Sequence, residues 1–290
     1  MNPLGFVAAL VSAIAFALNV TFAAVAYDHG ADVHAVNLVR PWFFLLCMAG
    51  GLWVSGVHLR LPASSRNLAL GLGVLMTLEM YALLAAIQYV PVSIAILTFF
   101  LYPLLIAGAA FVLGRERFSP IRVLAMLVTF AGLALALDAA ADSIDWTGVA
   151  LAFAAAVAIA TIVYVSEREL HTHDSRAVLL WMMVSSSAIV VVINATLATP
   201  TFPDTQTGWA AFAVSTALYA LATFLLFKAV ALIGPVRTSV VDNSSPVWAL
   251  FAGVLILDES MTSPQVAGTV LVVAGIITVN LAETLERRRS

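Results

Sequence analysis

Charge is scarce in this chain. Of 290 residues only 10% are Asp, Glu, Lys or Arg, whereas soluble domains carry about 25%. So few charges could not keep the remaining side chains in water, which excludes an ordinary soluble domain. Net charge is −3, so there is no basic footprint for nucleic acid. Cysteine is nearly absent; Cys47 stands alone, and an intramolecular disulfide is impossible. Catalytic signatures are missing too. The chain has no H-E-x-x-H, no G-x-S-x-G, no Walker loop and no dinucleotide glycine fingerprint, so no cofactor and no enzyme activity is expected, and ATP-driven transport by this chain alone is disfavoured. His171–Asp174 (HTHD) mimics a metal cluster but falls beside Glu167 and Glu169 in a short connector, where a solvated loop is expected instead of a ligand set.

What the chain has is oil. Hydrophobic residues make up 62% and mean hydropathy is +1.04. A membrane helix needs about 20 mostly apolar residues, and ten segments qualify: Leu4–Ala26, His34–Val54, Asn67–Gln88, Val92–Leu113, Pro120–Leu137, Gly148–Val165, Ala177–Leu197, Gly208–Ala231, Thr238–Leu257 and Pro264–Leu281. Only helices and closed barrels satisfy their backbone in lipid, and the alternation of barrel strands is not seen. The expected fold is an all-α integral membrane protein of ten spans. No Lys or Arg precedes the first apolar run, and that run exceeds the roughly 7–15 residues of a signal-peptide core, so it reads as a retained span.

Lys and Arg placement orients the spans. With the N-terminus inside, Arg60, Arg66, Arg115, Arg117, Arg122, Arg168, Arg176, Arg237, Arg287, Arg288 and Arg289 all fall on the cytoplasmic side. The outer connectors carry Asp28, Asp32, Asp138, Asp142, Asp145, Asp204, Asp258 and Glu259, with no Lys or Arg. The expected topology is therefore N-in and C-in.

The halves repeat at a shift of about 143 residues. Pro91 aligns with Pro235, Pro103 with Pro246, Glu116 with Glu259, Ala131-Gly132 with Ala274-Gly275, and Gly5 with Gly148. The expected units are 1–143 and 144–290. Five spans is an odd number, so the second unit enters the membrane inverted, as in many secondary transporters with a substrate site near the midplane.

These features resemble the drug/metabolite transporter superfamily, in particular its ten-span EamA-type branch, over essentially the whole chain. The resemblance rests on the prolines that open the fourth and ninth spans (Pro91, Pro235), the mid-span prolines (Pro103, Pro246), and the pairs Val112 with Glu116 and Leu255 with Glu259. Within that branch the chain is similar to bacterial amino-acid and metabolite exporters, most of all the aromatic amino acid exporter group. The resemblance implies a central cavity lined by spans 1, 3, 4, 6, 8 and 9, a bacterial inner-membrane location, and a small-molecule substrate as partner besides the bilayer, with a monomer as the working expectation. The superfamily's sugar-phosphate and nucleotide-sugar carriers hold polyanions with intramembrane Lys and Arg. This chain has few, which argues against such substrates.

A charge at membrane depth costs about 2.5–3.5 kcal/mol on insertion scales and is a functional hypothesis by default. Arg40 and Glu79 lie at matched depth near one side, Lys228 and Asp242 near the other. Each pair is expected to form an ion pair, as a gate or as a static latch. Asp242 could also bind a substrate ammonium or relay a proton. The stretch SVVDNSSPVWALF (Ser239–Phe251) places Ser239, Asp242, Ser245 and Pro246 on one helix face by its 3- and 4-residue spacing, the candidate cavity wall. Pro246 frees a carbonyl near Asp242, and Asn243 and Ser244 are expected to bridge to a neighbouring helix. In the first half, Thr98 or Phe99 takes the place of Asp242, with Tyr102 and the kink-forming Pro103 beside it. Further candidate lining residues are Asn19, Phe22, Tyr81, Tyr164 and Tyr219. Export of amino acids is the expected function, with a lipophilic-cation exporter, an intramembrane enzyme or scramblase, and a channel-like protein as alternatives.

Overall fold

The structure, a computed structural model, describes residues 2–55, 60–86, 89–90, 92–114, 120–136, 145–197, 199–256 and 262–289. Among them there is helix and no strand. In chain order the helices are α1 (Pro3–Asp28), α2 (Val33–Ser55), α3 (Ala63–Ala86), α4 (Val92–Phe99), α5 (Tyr102–Val112), α6 (Pro120–Ala136), α7 (Trp146–Thr172), α8 (Ser175–Leu197), α9 (Gln206–Ile233), α10 (Pro235–Asp242), α11 (Ser245–Ile256) and α12 (Ser263–Arg289). Each expected span is found as a helix. The fourth and ninth are each broken in two, ahead of Pro103 and Pro246. The pairs Glu116–Glu259 and the residue Pro91 lie outside the described residues.

The protein is an all-helical integral membrane protein. Seven helical segments among the described residues are long and apolar enough to cross a membrane, with α4–α5 (Ile94–Val112) and α10–α11 (Pro235–Ile256) each acting as one. Apolar side chains face outwards, as they do where the surrounding solvent is hydrocarbon. Val112 and Leu255 are each 80% exposed.

Local chemistry sets the helix ends. Asn2 caps α1 by accepting from Leu4 N at 3.1 Å, with Pro3 in the first turn. Thr205 caps α9 by accepting from Gly208 N at 3.1 Å. That helix ends at Gly234 with φ 84°, a conformation glycine adopts without steric cost, and Pro235 then starts α10. The helix α2 runs on through Pro41. One detail departs from expectation. The helix α7 continues past Val165 to Thr172, because Glu167–His171 and Glu169–His173 sit at helical i,i+4 spacing. His171 is therefore helical, not in a loop.

The chain forms two compact units that both cut across its halves. The first comprises Met1–Leu78 with Val165–Gly234, the second Glu79–Tyr164 with Pro235–Ser290. In the first unit α1 and α9 pack antiparallel along their length. Gly5 abuts Leu232 and Ile233, Ser12 Oγ donates to Ala222 O at 2.8 Å, and Ala26 shares a cluster with Ala211 and Phe212. The buried face of α1 is largely alanine, and small side chains let membrane helices approach closely.

In the second unit α6 packs against α12. A Cβ on Gly132 would fall 2.7 Å from Leu271 Cβ and 2.8 Å from Gly268 O and Val272 N. A Cβ on Gly275 would press on Thr129 Oγ1 and lie 2.9 Å from Ala125 O. The two glycines are equivalent positions of the repeat, and so are Ala125 with Gly268 and Thr129 with Val272. The contact therefore maps onto itself when the halves are exchanged, as a two-fold axis requires. The order of contacts is reversed along the two helices, so α6 and α12 run antiparallel. Equivalent helices that run antiparallel make the repeats inverted.

Replacing Gly132 with Leu should cost about 1–3 kcal/mol through overpacking, seen as a lower thermal midpoint of the detergent-purified protein. Gly108→Leu, where nothing lies within 4 Å of the added Cβ, should leave the midpoint unchanged.

Candidate functional site

Proline chemistry builds the centre of the second unit. Pro246 cannot donate to the carbonyl four residues earlier, that of Asp242. Ser245 takes that acceptor instead, its Oγ donating to Asp242 O at 2.7 Å. The backbone tightens around the break: Ser244 N bonds Val241 O and Val247 N bonds Ser244 O, both at 3.0 Å. The α4–α5 break repeats this. Leu101 N bonds Thr98 O at 3.2 Å and Leu104 N bonds Leu101 O at 3.0 Å, each pair 143 residues before its counterpart. By this register Phe99, rather than Thr98, occupies the position of Asp242, and Tyr102 that of Ser245.

The two breaks meet through side chains. Tyr102 Oη donates to Asp242 Oδ2 at 2.6 Å, and both residues are buried. The tyrosine ring leans on Phe99 and Phe100, with centroids 5.7 and 6.0 Å away. Asp242 Oδ1 is held more loosely, 3.5 Å from Ser245 Oγ. The result is a buried carboxylate with one oxygen fixed by a phenol and the other weakly engaged, beside an aromatic wall. Ser239 and Thr98 contribute less than expected, since their hydroxyls turn back to Val236 O and Ile94 O within their own helices. Ser244 likewise bonds Val241 O and receives Trp248 Nε1, so it serves its own helix rather than a neighbour. Asn243 Oδ1 is buried without a hydrogen-bond partner among the described residues.

A second polar centre lies in the first unit. Arg40 Nη2 donates to Asn19 Oδ1 at 2.7 Å and to Ser215 Oγ at 3.1 Å. Ser215 Oγ lies within hydrogen-bonding distance of both Asn19 O and Asn19 Oδ1, at 3.1 and 3.0 Å, and its one proton serves either acceptor. The guanidinium lies 5.1 Å from the centre of the Tyr219 ring, which packs edge-on against Phe16. Ser215 was not foreseen from the sequence. Its one signal is the four-residue spacing to Tyr219 on α9. Phe22 packs instead with the apolar cluster of Ala26, Val36 and Phe212.

The remaining candidates divide between the units. Glu79, Tyr81 and Tyr164 are half-buried residues of the second unit. Arg40 thus belongs to the first unit and Glu79 to the second. Lys228 and Asp242 are divided in the same way. Lys228 is exposed and lines an open cavity of about 500 Å³ with His171, His173, Asp174 and Arg176. There Arg176 bonds both oxygens of Asp174 at 3.0 and 2.7 Å, which holds that carboxyl below its usual range. No cluster of three metal-ligating side chains occurs among the described residues.

Known proteins resemble this chain in sequence and, in one case, in fold. The sequence pattern of the EamA-like transporter family matches twice, over residues 3–137 and 146–281. An uncharacterized transporter of Synechocystis sp. is 25% identical over 240 residues, which is 80% of this chain and 72% of that protein. A solved crystal structure superposes with a TM-score of 0.78 over 95% of this chain and 98% of that one, at 21% identity, a likeness of fold.

The bond between Tyr102 and Asp242 should be measurable. A double-mutant cycle of Tyr102→Phe and Asp242→Asn, read by thermal unfolding, should give a coupling of about 1.5–3 kcal/mol, the range for hydrogen bonds to a charged group. Additive single effects would mean that the hydroxyl and the carboxylate do not interact.

Proposed function

Because this chain belongs to the EamA-like transporter family, it moves a solute across a membrane, and we propose that the solute is an amino acid, aromatic ones included, exported across a bacterial inner membrane. The observation that carries this reading is the half-engaged carboxylate of Asp242. Its Oδ2 is fixed by Tyr102 while Oδ1 has only the long contact to Ser245 among the described residues. An ammonium group satisfies such an oxygen, and buried carboxylates need a partner. The Phe99–Phe100–Tyr102 cluster supports an apolar or aromatic side chain on the same solute.

The mechanism follows from the breaks. A helix interrupted at proline bends there at low cost, because its ladder is already open. The breaks before Pro103 and Pro246 are equivalent elements of inverted repeats. If each half adopts the bend of the other, the site closes on one side and opens on the other, which is alternating access. Protonation of Asp242 or Glu79 offers a route to proton exchange; with neither used, the outward solute gradient drives export. The arginine-rich connectors support an N-in, C-in orientation.

Uptake of labelled phenylalanine into proteoliposomes tests the reading. Saturable uptake, at least tenfold reduced by Asp242→Asn, is expected, tenfold being about 1.4 kcal/mol. Stimulation by an imposed pH gradient that disappears in Asp242→Asn places proton coupling at that residue. Transport of an organic cation with no amino acid crossing above empty liposomes would replace the amino-acid reading with that of a lipophilic-cation exporter, which the aromatic wall beside Asp242 also suits.

A further inference from the structure

The cavity at the α7–α8 turn carries one positive charge that its own wall does not balance. The wall comes from the end of α7 (His171), the connector (His173, Asp174), the start of α8 (Arg176) and the last turns of α9 (Phe224, Lys228, Leu232). All of these belong to the first unit. Arg176 holds both oxygens of Asp174, so that carboxylate is already matched. His171 and His173 face Glu167 and Glu169, one turn back on α7. Lys228 is near enough for its charge to act on Asp174. Yet no hydrogen bond or ion pair joins Lys228 to another side chain among the described residues. With the histidines counted neutral, Lys228 and Arg176 stand against Asp174, and Lys228 carries the excess.

The position of Lys228 decides what it meets. Val214, Leu221 and Lys228 are spaced by seven residues on α9. Such residues drift by only about 20° per step, so they form one stripe. Val214 and Leu221 are 41% and 45% exposed, and in a membrane helix such side chains face hydrocarbon. The stripe ends in Lys228, five residues before Ile233, the last of α9, which is about 7 Å along the axis. From that depth a lysine stem reaches the headgroup layer. Leu221 lies about 10 Å deeper, inside the roughly 15 Å of one leaflet. Phe224 lies one turn from Lys228, between the two. A polar recess of about 500 Å³, within the range of about 300–1,000 Å³ for ligand sites, thus opens at the interface end of an apolar stripe. A soluble anion matches the recess alone. A lipid matches both parts, with its head at Lys228 and an acyl chain along Phe224 and Leu221.

We propose that this recess binds the phosphate of an anionic phospholipid, with Lys228 as the anchoring cation. Basic pockets between membrane helices take such heads. One excess positive charge matches one phosphodiester. A zwitterionic lipid also brings an ammonium, which Lys228 repels. The bound lipid ties the α7–α8 turn to α9. The site is independent of which solute the protein carries.

The test titrates phosphatidylglycerol or phosphatidylcholine into the detergent-purified full chain and counts bound lipids on the intact protein by native mass spectrometry. Phosphatidylglycerol should bind the wild type about fivefold more tightly than phosphatidylcholine. Lys228→Gln should abolish that preference; fivefold is about 1 kcal/mol, the contribution of one lysine near an anionic surface. Lys228 is exposed and unbonded among the described residues, so the variant should elute as wild type does. Lys228→Arg should keep the preference, and so should Arg60→Gln, which removes an exposed charge outside the recess. Equal binding of the two lipids by the wild type overturns the proposal. An equal loss in Arg60→Gln also overturns it, by showing attraction to overall charge alone. Displacement of the lipid by glycerol 3-phosphate or inorganic phosphate at equal concentration assigns the recess to soluble phosphates and overturns the lipid reading.

Discussion

A peptide group in hydrocarbon has no water to bond, so each one must find its partner inside the protein. That constraint makes this chain helical wherever it crosses the bilayer, and it decides what happens where a helix cannot continue. Pro246 leaves the Asp242 carbonyl without its amide, and the neighbouring serine supplies a hydroxyl. The polar run from Asp242 to Ser245 is thus first a repair of the backbone. The side chain of Asp242 stands at the one place in its span where the ladder is already open, which is where a polar group disturbs least.

The repeat is visible at the level of single bonds. Turn hydrogen bonds at the α4–α5 break recur at the α10–α11 break 143 residues later, and the α6–α12 contact is its own image under exchange of the halves. Chemistry diverges on this common frame. Phe99 stands where the second half has Asp242, and Tyr102 where it has Ser245. The Tyr102–Asp242 bond joins these diverged positions, so it has no counterpart under the symmetry. A symmetric scaffold supplies two equivalent breaks, while the diverged side chains make a bond that the symmetry does not repeat.

Among the described residues, Asp242 and Arg40 meet neutral partners within their own units. Asp242 has a phenol and a hydroxyl; Arg40 has an amide, a hydroxyl and a ring. A close counter-ion would settle the charge once and for all. Dipoles lower the cost of burial without neutralising the charge.

Much of this was legible in the chain itself. The length and apolarity of each run determined the spans, because helix formation in lipid is a local matter of backbone satisfaction. Prolines at matched places determined the breaks, because a missing N–H acts on the carbonyl four residues earlier. The matched glycines marked the repeat, and the structure places Gly132 and Gly275 where α6 and α12 touch. The extension of α7 to Thr172 was missed because its Glu–His i,i+4 pairs prolong a helix beyond its apolar run. Partners were out of reach. Opposite charge at equal depth suggested Arg40 with Glu79 and Lys228 with Asp242, and each of these expectations joins residues of different units. Ser215 shows the limit best. A serine in an apolar helix usually bonds its own backbone, and nothing near it in the chain marks it as different. Only the antiparallel packing of α1 on α9 brings it to Asn19 and Arg40. The chain by itself determined where helices form and where they break; tertiary structure decided which polar groups meet, because that depends on contacts between residues almost 200 positions apart.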